Sequence, residues 1–229
     1  LSRLKHKSQT IFNRSTSLFG TIDSYWLWTL TEGRVFATDI TNAARTSLFN
    51  ISNLKWDDDL IKIFGLEGIK LPDIKNNADD YGTTSLFGGE IKISGMAGDQ
   101  QAALFGQACF DTGEVKSTYG TGCFLILNTG TKILRSNNKL LSTVGYKIGG
   151  DVTYALEGSI FVAGSLIQWL RDKMKFFSNA LETEKLAKSA NKNSEVVIIP
   201  SFTGLGAPHW KPDLKGAIHG LSLETSTED

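Results

Sequence analysis

Asp99 follows Gly98 and precedes Gln100. It stands between the apolar run Ile91 to Ala97 and the apolar stretch Ala102 to Cys109. A lone carboxylate where a strand gives way to a helix can take a proton from an alcohol, provided the hydroxyl comes within hydrogen-bond reach. Gln100 beside it can donate and accept, which suits a polyol. Further along, Tyr119-Gly120-Thr121-Gly122-Cys123-Phe124 sets a Gly-Thr-Gly bend between two β-type stretches. Such a bend can bring backbone N–H groups, and here a threonine hydroxyl, against phosphate. Together the two features point to phosphoryl transfer to a hydroxyl, where positioning and charge stabilisation do most of the catalytic work.

Each feature also has a purely structural reading. Asp is a favoured N-cap, so position alone leaves both roles open for Asp99. Glycines at a hairpin tip need no ligand, because they supply positive φ for the turn. Gly164 and Gln168 lie on one face of a helix read over Phe161 to Lys175. A glycine inside a helix costs about 1 kcal/mol relative to alanine, so Gly164 marks close approach, either of a ligand or of another helix. Gly204, Gly206 and Pro208 form a tight loop that either lines a cleft or bends the chain. There is no Gly-Lys-Ser/Thr phosphate loop, no protein-kinase catalytic set and no Gly-x-Ser-x-Gly elbow. These absences disfavour the usual ATP folds outside the actin-like group.

The elements that must hold these residues alternate between helix and strand. Ile22 to Leu30 reads as a helix closed by Gly33, and Asp57-Asp58-Asp59 starts another that runs to Phe64 and stops at Gly65. Ile91 to Ala97 reads as a buried strand and Gln101 to Cys109 as a helix. Val115 to Tyr119 and Phe124 to Asn128 form a hairpin. Thr143 to Ile148 and Val152 to Leu156 form a second, around Gly149-Gly150-Asp151. Glu157-Gly158 reads as a turn into the next helix. Leu181 to Ala190 is a further helix, Val196 to Pro200 a strand, and Ala217 to Leu221 a short last strand. Leu1 to Leu18 reads as a basic helix. The pattern is α/β, and its internal boundary falls near Phe110 to Gly113, dividing 1–110 from 111–229.

The 229 residues are charge-balanced, with 24 basic against 24 acidic side chains. That argues against nucleic acid or a membrane surface as partner, since both call for a basic patch. Cys109 and Cys123, the only cysteines, make no disulfide framework and suit a reduced, cytoplasmic setting. His6, His209 and His219 have no metal-ligand spacing, so no protein metal site is expected. No apolar stretch is long enough to span a bilayer.

In its motifs the chain resembles the FGGY carbohydrate kinase family, and within it the members that act on glycerol. The residues concerned are Phe19-Gly20-Thr21-Ile22-Asp23, Thr41-Asn42-Ala43-Ala44-Arg45-Thr46, the long run Ser94 to Gln107, and Tyr119 to Phe124. Tyr154 to Ser159, Ile167 to Asp172 and Phe202 to Pro208 continue the likeness in order. The resemblance implies an actin-like ATPase fold, with two ribonuclease-H-like domains around a cleft and 1–110 and 111–229 as parts of them. It implies ATP-dependent phosphorylation of glycerol, with Asp99 as the base and Gln100 holding the polyol. Phe124 would pack on glycerol's carbon side. Gly120, Thr121 and Gly122 would meet the ATP phosphates, bridged by Mg2+, and Gly164 and Gln168 would line the nucleotide side.

The resemblance covers only the middle of such an enzyme. The family's N-terminal phosphate hairpin and several glycerol-holding residues fall ahead of Leu1, and its late adenine-side Gly and Asn fall beyond Asp229. Leu86 to Glu90 is shorter than the loop that binds a sugar bisphosphate in some relatives. The expectation is that the isolated segment is inactive and exposes apolar edges, with missing kinase segments or a second copy as partner. An inactive remnant, one part of a split kinase, and an FGGY kinase for another polyol or sugar are the alternatives.

Overall fold

The structure, a computed structural model, describes residues 17–229. The helix read over Leu1 to Leu18 therefore falls almost entirely outside the described residues. The chain forms two compact units that interleave in sequence. The first comprises the described residues up to Glu114, with Leu127–Leu134 and Ser142–Leu156; the second comprises Val115–Ile126, Arg135–Leu141 and Glu157–Asp229.

In the first unit, helix α1 (Ile22–Leu30) ends where the sequence stops favouring helix. Glu32 and Gly33 turn to positive φ, and the Gly33 N–H donates to the Trp28 carbonyl at 2.8 Å. That bond satisfies a carbonyl the helix end would otherwise leave unpaired. A Cβ at Gly33 would press on the Trp28 ring at 3.2 Å, so glycine is needed for both φ and space. Leu27 packs with Ala37 and Tyr81 in one buried cluster.

Strand β1 (Ala37–Asp39) leads into the one-turn helix α2 (Ile40–Ala43). The hairpin of β2 (Phe49–Asn50) and β3 (Lys55–Trp56) sets Phe49 edge-on to Trp56, at 6.0 Å between ring centres. Phe49, Ile40, Ala43, Val144 and Tyr154 make a second buried cluster.

Helix α3 (Asp58–Ile63) begins as the acidic triplet suggests. The Asp57 carboxylate accepts the Asp59 and Leu60 N–H groups at 3.1 Å each, and Asn50 Nδ2 donates to it at 2.8 Å. The Asn50 bond foremost, then the Leu60 amide, hold its pKa below the ordinary 3.8. A depressed carboxyl contributes stability that is complete above its unfolded value and is lost as pH falls through the folded one. On acidification the Asp59 and Leu60 amide resonances should therefore titrate below pH 3.8, and Asp57→Asn should abolish that step. Titration of those amides at or above the ordinary carboxyl value would contradict this capping role.

Strand β4 (Asp73–Lys75) pairs in parallel with β1, with Ala37 opposite Asp73. Strands β5 (Thr83–Thr84) and β6 (Ile91–Lys92) form a short antiparallel ribbon. The buried strand expected over Ile91 to Ala97 is not present in that form. Only Ile91–Lys92 pair regularly, and Ile91 is 48% exposed. The rest of the run follows an irregular path: Met96 donates its N–H to the Asn77 carbonyl, and Asp79 donates its own to the Ser94 carbonyl. Ile93 and Met96 alone of that run pack on the Leu27–Tyr81 cluster. Helix α4 (Asp99–Gly106) follows.

Strands β7 (Val115–Tyr119), β8 (Cys123–Gly130), β9 (Leu141–Lys147) and β10 (Val152–Ile160) form a four-stranded sheet in the order β7-β8-β10-β9. Both expected hairpins are there, and Gly149 at φ 74° makes the second turn. Glu157-Gly158 is not a turn into a helix. It lies inside β10, with Glu157 only 2% exposed and accepting the Ser159 hydroxyl at 3.2 Å. Gly158 serves close packing there, since its Cβ position lies 3.3 Å from the Leu140 side chain.

In the second unit, helix α5 (Gly164–Asp172) is shorter at both ends than Phe161 to Lys175. A 3₁₀ turn (Ala180–Glu182), closed by a reciprocal Asn179–Glu182 capping box, leads into α6 (Thr183–Ser189). Strands β11 (Val197–Ile199) and β12 (Ala217–His219) pair antiparallel. The Trp169 ring of α5 lies 4.8 Å from that of Phe202 in the loop after β11. Among the described residues no helix is long and apolar enough to cross a membrane.

Candidate active site

Asp99 is the first residue of α4, not its cap; Gly98 occupies the cap position and has no side chain to offer. Asp99 is exposed, and Gln100, half-buried, reaches its Oδ2 from Nε2 at 3.3 Å. The Asp99 carboxylate therefore stands exposed at the helix start, with Gln100 as a side-chain partner, and it does not cap the helix. The opposite side of α4 is anchored. Leu104 is fully buried, and its Cδ2 lies 3.3 Å from where a Cβ on Gly145 would stand.

The backbone leading into α4 is held by polar residues that sequence reasoning gave no role. Gly98 donates its N–H to Thr41 Oγ1 at 2.9 Å. Thr41 in turn donates its hydroxyl to Asp39 Oδ1. Asp39 is fully buried and accepts also from the Thr41 N–H at 2.7 Å, Asn42 Nδ2 at 2.5 Å and Asn77 Nδ2 at 2.9 Å. Burial pushes its pKa up, and the bonds from Thr41 and Asn42 work against that rise. The one local signal is an Asp directly ahead of the short helix that holds Thr41 and Asn42, a cap pattern. The long-range partner Asn77 left none.

The remaining candidates stand in the second unit. The Gly120–Gly122 turn joins β7 to β8, and Gly120 donates its N–H to the Gly122 carbonyl at 2.8 Å. Neither glycine has positive φ, so the conformational reason for them at a hairpin tip does not apply. Gly122 is there for close approach: its Cβ would lie 2.5 Å from the Ile160 carbonyl oxygen, 3.1 Å from that of Phe161 and 3.3 Å from the Phe124 ring. Gly164 is alike, with its Cβ position 2.5 Å from the Gly120 carbonyl oxygen.

That crowding has a purpose. The first turn of α5 finds its hydrogen-bond partners in the Gly-Thr-Gly turn. Ala163 and Gly164 donate their N–H groups to the Thr121 and Gly120 carbonyls at 2.8 and 2.9 Å. Ser165 adds its hydroxyl to the Thr121 carbonyl at 2.9 Å. Helix ends leave such N–H groups unpaired unless something accepts them. Here the turn accepts them, and the Thr121 side chain stays exposed at its tip.

The fold thus brings Gly120, Thr121, Gly122, Phe124 and Gly164 together in one clamp. Gln168 is exposed one turn further along α5. Beneath the hairpin Lys116 is 1% exposed, with Nζ donating to Thr118 Oγ1 at 2.9 Å. The sequence pattern gives Lys116 no role, because a charged residue in a strand ordinarily reads as solvent-facing, whereas the buried Glu157 reads as a turn residue.

Residues 1–106 match the N-terminal domain of the FGGY family of carbohydrate kinases, and residues 115–229 match its C-terminal domain. The chain is 57% identical over 213 residues to a glycerol kinase of Marinomonas sp. (strain MWYL1), covering 92% of this chain and 43% of that protein. It is 54% identical over 213 residues to a glycerol kinase of Rhizobium rhizogenes, with the same coverage. The chain therefore spans well under half the length of the curated relatives it matches. Among solved structures it is similar to Plasmodium falciparum glycerol kinase with ADP, at a TM-score of 0.87 and 37% identity over 99% of this chain and 46% of that one. A xylulose kinase from Lactobacillus acidophilus shares the fold at a TM-score of 0.80 and 20% identity, covering 98% of this chain and 46% of that one. The architecture is the α/β, actin-like ATPase fold of these kinases. With both of its halves matched in order, the chain belongs to the FGGY family of carbohydrate kinases.

Proposed function

We propose that the native polypeptide carrying this chain transfers the γ-phosphoryl group of ATP to glycerol, giving glycerol 3-phosphate and ADP. The observation that carries this reading is the 54–57% identity to glycerol kinases along 92% of the chain. The exposed Asp99 at the start of α4, with the half-buried Gln100 beside it, supports it.

In this reading Asp99 takes the proton from a glycerol hydroxyl as its oxygen attacks the γ-phosphorus, while the bond to ADP breaks. Gln100 holds the polyol by donating and accepting. Phe124, half-buried beside the turn, offers the apolar ring for the carbon side of glycerol. Thr121 and its flanking glycines serve the phosphates. The donor set fits that role, because the Thr121 hydroxyl is exposed and nothing approaches the Cβ position of Gly120 closer than 3.9 Å. Gly164 and Gln168 serve the nucleotide side.

Among the described residues no group of three or more His, Cys, Asp or Glu is placed to hold a metal ion. Magnesium would come with the nucleotide and neutralise charge on the phosphates, as phosphoryl transfer commonly uses it. The matches at residues 1–106 and 115–229 support assigning 1–110 and 111–229 to the N- and C-terminal FGGY domains. Cys109 and Cys123, both buried and neither in a disulfide, favour the cytoplasm as the site of action.

The test is ADP release by the native polypeptide with Mg·ATP and, in turn, glycerol, xylulose and gluconate. Release dependent on glycerol is the expected result. Release with xylulose or gluconate and not with glycerol would overturn the substrate, and no release with any of them would overturn the kinase reading.

A further inference from the structure

We infer that Asp39, Thr41 and Asn77 form a buried positioning network that fixes the backbone from which Asp99 projects. The inference rests on the reading of Asp99 as the base. Asp39 and Thr41 are fully buried and Asn77 is 8% exposed, so their polar groups must be satisfied inside the protein.

Capping α2 needs only the bonds from the Thr41 and Asn42 N–H groups to Asp39. The network does more than that. The Thr41 hydroxyl, donating to Asp39, is left free to accept, and it accepts the Gly98 N–H at 2.9 Å across 57 residues of sequence. Asn77 Nδ2 bridges Asp39 Oδ1 and the Met96 carbonyl, both at 2.9 Å. Its Oδ1 accepts the Lys147 N–H at 2.7 Å, which ties the same amide to β9.

One carboxylate is thereby linked to the backbone at Met96 and at Gly98, just ahead of Asp99. Gly98 caps α4 without a side chain, so the first turn of that helix takes its placement from outside itself. The fixed hydroxyl and amide supply that placement. Thr41 and Asn77 touch no reacting atom in this scheme; they act through the direction of Asp99.

The test uses the native polypeptide and the nearly isosteric Thr41→Val. Loss of the hydroxyl should lower kcat about tenfold, because small misplacement of a reacting group is costly. The KM for ATP should stay within about twofold, the split expected when only the reacting geometry is disturbed. Exchange of the Gly98 amide should quicken, and Thr41→Ser should restore both readouts. An unchanged kcat in Thr41→Val would overturn the proposal. Should the valine variant not fold, Thr41→Cys carries the same comparison, with lowered kcat in support and unchanged kcat against. Asp99→Asn separates this from the parent reading: full activity there overturns the base assignment itself. An inactive Asp99→Asn beside a fully active Thr41→Val overturns the network alone.

Discussion

Asp99→Asn is expected to lower kcat by about 10²–10⁴-fold, the range a positioned general base supplies. The replacement is isosteric and exposed, and it removes the carboxylate while leaving Gly98 to cap α4. Its structural cost should be about 0.3–1 kcal/mol, the value of one acidic group near a helix N-terminus. Activity and stability therefore separate. The thermal midpoint should hardly move, while turnover with saturating glycerol and ATP collapses. A variant that kept kcat within tenfold of the parent would exclude Asp99 as base. A variant that lost its cooperative melt would mean that the carboxylate holds the fold instead.

The second large effect is expected at the clamp between the Gly-Thr-Gly turn and α5. Gly122→Ala would set its Cβ 2.5 Å from the Ile160 carbonyl oxygen. Gly164→Ala would press at 2.5 Å on the Gly120 carbonyl that accepts its own N–H. Both contacts are with backbone, which cannot swing aside as a flexible side chain would. Overpacking of this kind costs about 1–3 kcal/mol. The turn should also open, so the KM for ATP should rise together with the loss of stability. Gly120→Ala is the contrast, because its Cβ would meet nothing nearer than the Gly122 carbonyl oxygen at 3.9 Å and its φ is not left-handed. It should leave the melt unchanged, and any loss of ATP affinity there would report a ligand at the turn. Thermal melts and ATP titrations of the three variants check this. Equal melting points for Gly122→Ala and Gly120→Ala would contradict the close approach.

What was legible in the sequence was local. The end of α1 at Gly33, the Asp57 cap of α3 and the hairpin at Gly120–Gly122 each depend on a few neighbouring residues, and each is where the pattern placed it. The positions of Asp99 and Gln100 at a helix start were also legible, because a glycine followed by acidic and amide residues marks one. The illegible features were those set by distant partners. Ile91 to Ala97 looks like a buried strand by apolarity alone, yet its path is decided by bonds to Asn77 through Gly82. Asp39 carries only a local cap signal, and nothing near it in the sequence points to Asn77, 38 positions away. Gly122 reads as a turn former, and only the nearness of Ile160 reveals a steric reason for it. Glu157 looks like a turn residue because a charge beside a glycine usually lies at the surface. In the fold it sits inside a nine-residue strand.

Phosphorus NMR of the native polypeptide with Mg·ATP and glycerol, run beside Asp99→Asn, follows the γ-phosphoryl group itself. The expected result is a phosphomonoester resonance of glycerol 3-phosphate that grows one-for-one as the ATP γ-signal falls, and that stays absent over the same period with Asp99→Asn. Loss of the γ-signal to inorganic phosphate, or the same monoester at the same rate from Asp99→Asn, would contradict phosphoryl transfer to glycerol through this carboxylate.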